Sequence, residues 1–299
     1  MKSFKVLSRV SFDNAVASMI GISSILVMGE AYFRTALRDA QTAKECRYPP
    51  VSNILSASHV RELEENHMVV IHNVLTLSQL EGARKCATAL GNSMDRSNHV
   101  NDSDVRQDQV CVVKESDTFS DVDVNPDEHG DDMIHCIKML RGIPHILNRF
   151  NYNASSSYVV PRQCQLARYL PDGSVYVRHL DKCTSTLEEM GLLGWLRASD
   201  YRYRAVTIIL YLNAPDWNSG GNLRCYGQGG GAGGGVAGEN DDDDSRSLDI
   251  NPTGGTMILF DSSKVEHQVL PSSMDRYALT LWINGVETAT ATATATAAK

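Results

Sequence analysis

The sequence predicts a mainly β fold supported by α-helices, and three observations predict it. Short β-rich runs fill the C-terminal half, turn chemistry separates them, and helical patterns precede them. The runs are Arg162–Leu170, Ser174–Asp181, Arg204–Asn213, Asn222–Tyr226, Ser247–Ile250, Thr256–Phe260, Val265–Leu270 and Arg276–Asn284. Eight such runs match the strand count of a jelly roll, the double-stranded β-helix. Pro171-Asp172-Gly173, Asn218-Ser219-Gly220-Gly221 and Pro252-Thr253-Gly254-Gly255 supply the turn residues between them.

Residues 1–50 read as an N-terminal extension closed by Pro49 and Pro50. Lys2, Lys5 and Arg9 before the apolar stretch Ala15–Gly29 resemble a signal layout. The stretch is shorter than the roughly 20 residues of a bilayer span. Its two readings are a removable or anchoring signal and an amphipathic extension, and no stable membrane span is expected.

From Val51 a helical pattern through Ile54, Leu55, Val60 and Leu63 leads into the strand candidate Met68–Ile71. Ser78–Leu90 has helical spacing, and Asn92–Asp104 reads as a mobile polar loop. Arg106–Val113 resumes as a strand. Asp127–Phe150 is helical, with Pro144 expected to kink or divide it. Two insertions interrupt the β series: Thr184–Asp200, read as helical, and the glycine-rich then acidic stretch Gly227–Asp244. The main domain is thus placed at residues 51–286, followed by a low-complexity Ala/Thr tail at 287–299.

A formal net charge of -8 argues against a nucleic-acid backbone as partner. Seven cysteines, odd in number and without a C-x-x-C pair, read as free thiols of a reducing compartment. The expected location is cytoplasmic or nuclear, with the secretory pathway or an organelle as the alternative if the N-terminal segment is a signal.

The chemistry centres on Tyr176-Val177-Arg178-His179-Leu180-Asp181. On a strand the period of two puts His179 and Asp181 on one face. A second pair, His129-Gly130-Asp131, falls at the start of a helix, where Asp131 and Asp132 read as charges favoured by the dipole. His267, on the strand Val265–Leu270, is either a structural histidine or the third ligand. In a jelly roll the second and seventh strands are neighbours, so His267 can face His179 and Asp181. Two histidines and a carboxylate cover one face of an octahedral Fe(II) and leave positions for a cosubstrate and dioxygen. An inward Arg276 calls for an anion, and its fork of donors suits a carboxylate. The cosubstrate expected is therefore a dicarboxylate. Tyr211 either donates to that carboxylate or is a core tyrosine.

These segments are specific in combination. Ala167-Arg168-Tyr169, Tyr176–Asp181, Tyr211-Leu212-Asn213, Gly220–Arg224, His267–Pro271 and Arg276–Trp282 resemble the Fe(II)- and 2-oxoglutarate-dependent prolyl hydroxylases of the oxygen-sensing (HIF) type. The likeness spans about His59 to Gly285, and an arginine at 276 separates it from the collagen-type enzymes, which use lysine. It implies that His179, Asp181 and His267 bind iron. It implies that Arg276 and Tyr211 hold the far carboxylate of 2-oxoglutarate, with Tyr169 and Thr280 lining its pocket. Tyr176 and Trp282 match substrate-proline positions, and Arg106 and Asp108 match a pair beside the mobile substrate loop. For that pair a surface ion pair is the other reading.

The implied activity is hydroxylation of a prolyl residue of a protein substrate, coupled to decarboxylation of 2-oxoglutarate to succinate. O2 is the oxidant, ascorbate the expected reductant, and the enzyme is expected to be a monomer. The alternatives are an oxygenase for a non-prolyl residue or small molecule, and a catalytically silent jelly-roll binding module. Three departures from the family bear on the substrate. Val112 stands where a tryptophan is expected, and the segments Lys182–Tyr203 and Gly227–Leu248 are longer.

Overall fold

The computed structural model describes residues 54–92, 94, 106–115, 126–161, 163–186, 188–191, 199–227 and 247–287. The expected N-terminal extension, most of the Asn92–Asp104 loop, the glycine-rich and acidic stretch and the Ala/Thr tail lie outside these residues. So does the side chain of His129.

Helix α1 (Ala57–Asn66) starts at Ser56, whose hydroxyl accepts from the His59 amide while the His59 ring returns a bond to the Ser56 amide. It buries Val60 and Leu63 and ends at His67 in the left-handed region, φ 60°. Strand β1 (Met68–Ile71) follows at once. Helix α2 (Leu77–Gly91) repeats the capping device with Thr76 and Gln79. After strand β2 (Gln109–Val113), helix α3 (Pro126–Arg149) continues through Pro144 and does not divide there. Its buried residues Leu140, Ile143 and Leu147 pack in the core on either side of the proline, and that packing offsets the lost backbone bond. Because the helix begins at Pro126, Asp131 and Asp132 lie beyond its first turn. The Asp132 carboxylate instead packs against Gly82 of α2, where a Cβ would come within 1.9 Å of it.

Nine strands follow, the first eight being β3 (Ser156–Val159), β4 (Cys164–Tyr169), β5 (Tyr176–His179), β6 (Arg204–Tyr211), β7 (Leu223–Cys225), β8 (Leu248–Ile250), β9 (Met257–Asp261) and β10 (His267–Val269). The last strand is β11 (Arg276–Glu287). All the runs read from the sequence are present, and β3 is an addition that pairs with the far end of β11. Within the stretch Thr184–Asp200 read as helical, residues 188–191 are helical and the short helix α4 (Ser199–Arg202) stands at its end, while residues 187 and 192–198 lie outside the described ones.

The strands form two antiparallel sheets. The larger has the order β1-β9-β6-β11-β4-β2, and the smaller the order β5-β10-β7-β8. This is a jelly-roll core with helical support, as the sequence predicts. The larger sheet is buried on both faces, and the period of two divides its side chains between two cores. Ile208 and Leu210 of β6, Leu279 and Leu281 of β11 and Met257 and Leu259 of β9 share the core that holds Leu80 of α2 and Ile137 of α3. Their alternates Ile209, Tyr211, Ala278, Ile258 and Phe260 point into the space between the sheets. Each fully buried Leu or Ile contributes ~1.5–3 kcal/mol. The same alternation sends Arg276, Thr280 and Trp282 inward, and so builds the site.

Candidate active site

A cleft open to solvent lies between the sheets. It is lined by Tyr176, His179 and Asp181 from one side and by His267, Arg276, Thr280 and Trp282 from others. His179 and His267 are directly opposite in the β5–β10 ladder. Asp181 lies two residues past the end of β5, so strand periodicity does not place it as expected. Main-chain bonds place it instead: the Lys182 amide donates to the Ser262 carbonyl at 2.9 Å. The Asp181 carboxylate lies 3.7 Å from His179 Nε2 and 3.8 Å from His267 Nε2. One ligand atom from each of the three residues falls within 4.8 Å of the others, a spacing that can hold a metal ion.

The hydrogen bonds around the triad leave its lone pairs facing inward. His179 Nδ1 donates to the Val177 carbonyl at 2.8 Å, and His267 Nδ1 to the Val265 carbonyl at 3.1 Å. Each bond puts the ring proton on Nδ1 and leaves Nε2 as an acceptor toward the other ligands. Burial brings the His267 imidazole down to about 4 against the pull of Asp181, so it is neutral at pH 7. Burial alone would raise the Asp181 carboxyl. The His179 imidazole beside it, with His267 and Arg204 nearby, holds it well below the usual carboxylate range. The Thr207 hydroxyl donates to Asp181 Oδ2 at 2.7 Å and lies 2.8 Å from the Ser262 hydroxyl. Two imidazoles and one ionised carboxylate suit a divalent transition metal.

Arg276 is 1 % exposed, and among the described residues no carboxylate pairs with it. Its Nε donates to the Gly221 carbonyl at 2.7 Å, and its guanidinium lies 4.9 Å from the rings of both Tyr169 and Tyr211. Burial pushes the Tyr211 hydroxyl up to about 12 against the Arg276 cation, so it stays a donor. That buried hydroxyl has no partner to accept its proton among the described residues. An unpaired buried cation and an unspent donor together fit a carboxylate. Tyr169 pairs with Arg276 across the β4–β11 ladder, and Thr280 lines the same cavity.

Tyr176 stacks on His179 with ring centroids 3.7 Å apart. Trp282 lines the cavity, and its buried indole N–H has no partner among the described residues. The Arg106–Asp108 pair is bidentate, at 2.5 and 2.8 Å, and Asp108 is 1 % exposed. The surface-pair reading is therefore wrong: a buried carboxylate holds Arg106 at the cavity wall, 5.0 Å from the Tyr176 ring. Val112 is 52 % exposed on the edge strand β2 and pairs in register with Gln165, a cavity residue.

Sequence reasoning missed three neighbours of the site. Thr207 was legible as the single hydroxyl in the run Val206–Leu210. Gly221 carried a turn signal, but its role is spatial. Its φ is +71°, and a Cβ there would lie 2.8 Å from Arg276 Cδ. Arg204 left no signal: it lies between the Tyr201 and Trp282 rings, with its Nη1 3.8 Å from Asp181 Oδ1.

The comparisons with known proteins agree with this geometry. Residues 164–284 match the profile of the 2OG-Fe(II) oxygenase superfamily. A prolyl-4-hydroxylase from Pseudomonas putida superposes with a TM-score of 0.50 at 22% identity, covering 76% of this chain and 97% of that one. A Trichoplax adhaerens prolyl hydroxylase, in complex with a hypoxia inducible factor oxygen degradation domain peptide fragment, superposes with a TM-score of 0.53. Its identity is 21%, over 76% of this chain and 88% of that one. No curated protein sequence matches the chain. Residues 164–284 thus resemble a 2OG-Fe(II) oxygenase domain, and that likeness together with the His179–Asp181–His267 triad implies Fe(II), 2-oxoglutarate and O2 as cofactor and cosubstrates.

Proposed function

We propose that the protein is a prolyl 4-hydroxylase acting on a protein substrate. The observation that carries this reading is the aromatic wall beside the triad. Tyr176 and Trp282 line the same cavity as His179, Asp181 and His267, and their aromatic rings suit contact with an apolar pyrrolidine ring. The fold shared with the two prolyl hydroxylases supports it.

In this reading His179, Asp181 and His267 hold Fe(II), which when bound supplies the activation of O2 and the oxidising step. Arg276 and Tyr211 take the far carboxylate of 2-oxoglutarate, and Tyr169 and Thr280 close its pocket. Arg106, fixed by Asp108, faces the substrate beside Tyr176. The protein's own contribution is placement: imidazoles oriented by carbonyls, a carboxylate steadied by Thr207, and a fork of donors in a dry pocket. Ascorbate is the reductant expected to sustain turnover. Oxygen sensing is the proposed physiological setting, with action as a monomer in the cytoplasm or nucleus. Among the described residues no helix is long and apolar enough to cross a membrane.

The exposed Val112 favours a second reading, in which the same chemistry acts on a non-prolyl residue or a small molecule. The two are separated by incubating the protein with Fe(II), 2-oxoglutarate and paired peptides that differ only in Pro→Ala. The proposal expects succinate and a one-oxygen mass gain with the proline peptides alone. Equal turnover with the alanine peptides, or oxygen on another residue, contradicts it.

A further inference from the structure

We propose that Tyr201 and Trp282 hold the Arg204 guanidinium off the Asp181 carboxylate, so that Tyr201 is a positioning residue keeping Oδ1 open to the metal. The inference rests on the metal reading above. It adds a residue from the long segment between Asp181 and β6, which no part of that reading uses.

The two oxygens of Asp181 are not equivalent. Oδ2 takes the Thr207 hydroxyl at 2.7 Å. Oδ1 faces His179 Nε2 at 3.7 Å and Arg204 Nη1 at 3.8 Å. A guanidinium and a carboxylate with nothing between them close to about 2.7–2.9 Å, and burial strengthens the attraction. Asp181 is buried and the Arg204 side chain is only 12% exposed, so the pull toward Oδ1 is strong. Had that contact closed, Arg204 would compete with a metal for the oxygen that Thr207 leaves available.

Three contacts keep the guanidinium where it is. Its central carbon lies 4.2 Å from the centroid of the Tyr201 ring and 4.0 Å from that of the Trp282 ring, so two aromatic faces hold the cation. Its Nη1 also donates to the main-chain carbonyl of Asp181 at 3.4 Å, which occupies an N–H that the carboxylate would otherwise take. Trp282 is fixed in the β6–β11 ladder, opposite Thr207. Tyr201 is the adjustable half. It belongs to α4, is 43 % exposed, and its carbonyl accepts from the Cys183 amide at 3.2 Å, just beyond Asp181. A segment of the chain outside the sheets thereby reaches back to regulate a metal-site oxygen.

The restraint makes an unusual prediction of sign. Tyr201→Ala frees the guanidinium to close on Oδ1, and removing the cation should then restore the site. The test uses the full chain and Mn(II) alone, titrated by electron paramagnetic resonance of the free ion. Tyr201→Ala is expected to weaken Mn(II) binding about tenfold, the low end for residues behind a metal ligand. Tyr201→Phe keeps the ring face and stays within about twofold of wild type. The double variant Tyr201→Ala/Arg204→Met returns to wild-type affinity or tighter. Wild-type affinity in Tyr201→Ala, or a double variant as weak as the single one, overturns the restraint. The second result would make Tyr201 merely a packing residue. Absence of Mn(II) binding by the wild-type chain would overturn the metal reading itself, and the restraint with it.

Discussion

The closed end of the cavity and its surroundings are built by different means. At the closed end Arg276, Tyr211 and His267 are 1 %, 0 % and 4 % exposed, and each stands on a strand paired on both sides. Outside the cavity lining, Val112 is on the edge strand β2 and Tyr201 on a four-residue helix, 52 % and 43 % exposed. Ladder pairing fixes a side chain from two directions, whereas an edge or an inserted segment can change without breaking the ladder. The metal and cosubstrate residues are thus tied to the part of the fold that tolerates least change, and the exposed residues around them to the part that tolerates most.

Substitutions in the two regions should divide accordingly. His267→Ala removes a metal ligand and is expected to abolish succinate formation while the protein remains folded by circular dichroism; retained turnover would break the comparison at its base. Arg276→Ala is next. Losing one partner of a buried charge pair costs ~2–5 kcal/mol, so the KM for 2-oxoglutarate should rise on the order of 10²-fold. The KM for the peptide should change far less. Gly221→Ala sharpens the same point from the backbone. Its φ of +71° strains any L side chain, and the new Cβ meets Arg276 Cδ. The expected effect is about a tenfold rise in the 2-oxoglutarate KM, with kcat for saturated enzyme little altered. Val112→Trp is the smallest. It should shift the peptide KM by a few-fold, leave the 2-oxoglutarate KM unchanged, and alter stability by within ~0.5 kcal/mol, as expected at an exposed position. A 2-oxoglutarate KM that moved with Val112 would show that the two regions are not independent.

Much of the closed end was legible in the sequence because strand periodicity is local. The alternation through Arg276, Ala278, Thr280 and Trp282 is enough to assign all four to one face of a strand. His267 as the partner of His179 required one further step, the strand order of a jelly roll, and the ladder bears it out. Asp181 shows where the local rule stops. It was expected on the strand, yet β5 ends at His179, and bonds to the turn at Ser262 bring the carboxylate in. Pro144 does not divide the helix, since packing of Leu140, Ile143 and Leu147 outweighs one missing backbone bond. β3 escaped notice because Ser156–Val159 is short and half polar, and it exists through its pairing with the extended end of β11. The surroundings were least readable. The Tyr201–Arg204–Trp282 stack joins a short helix to two strands, and neither spacing nor composition marks such a contact.

The most direct test of the central claim is a crystal of the protein grown with Mn(II) and 2-oxoglutarate, with the metal located by its anomalous scattering. The account predicts one peak enclosed by His179 Nε2, His267 Nε2 and a carboxylate oxygen of Asp181, and the far carboxylate of 2-oxoglutarate on Arg276 and Tyr211. A metal bound away from these three side chains, or a cosubstrate whose far carboxylate avoids Arg276, would contradict it.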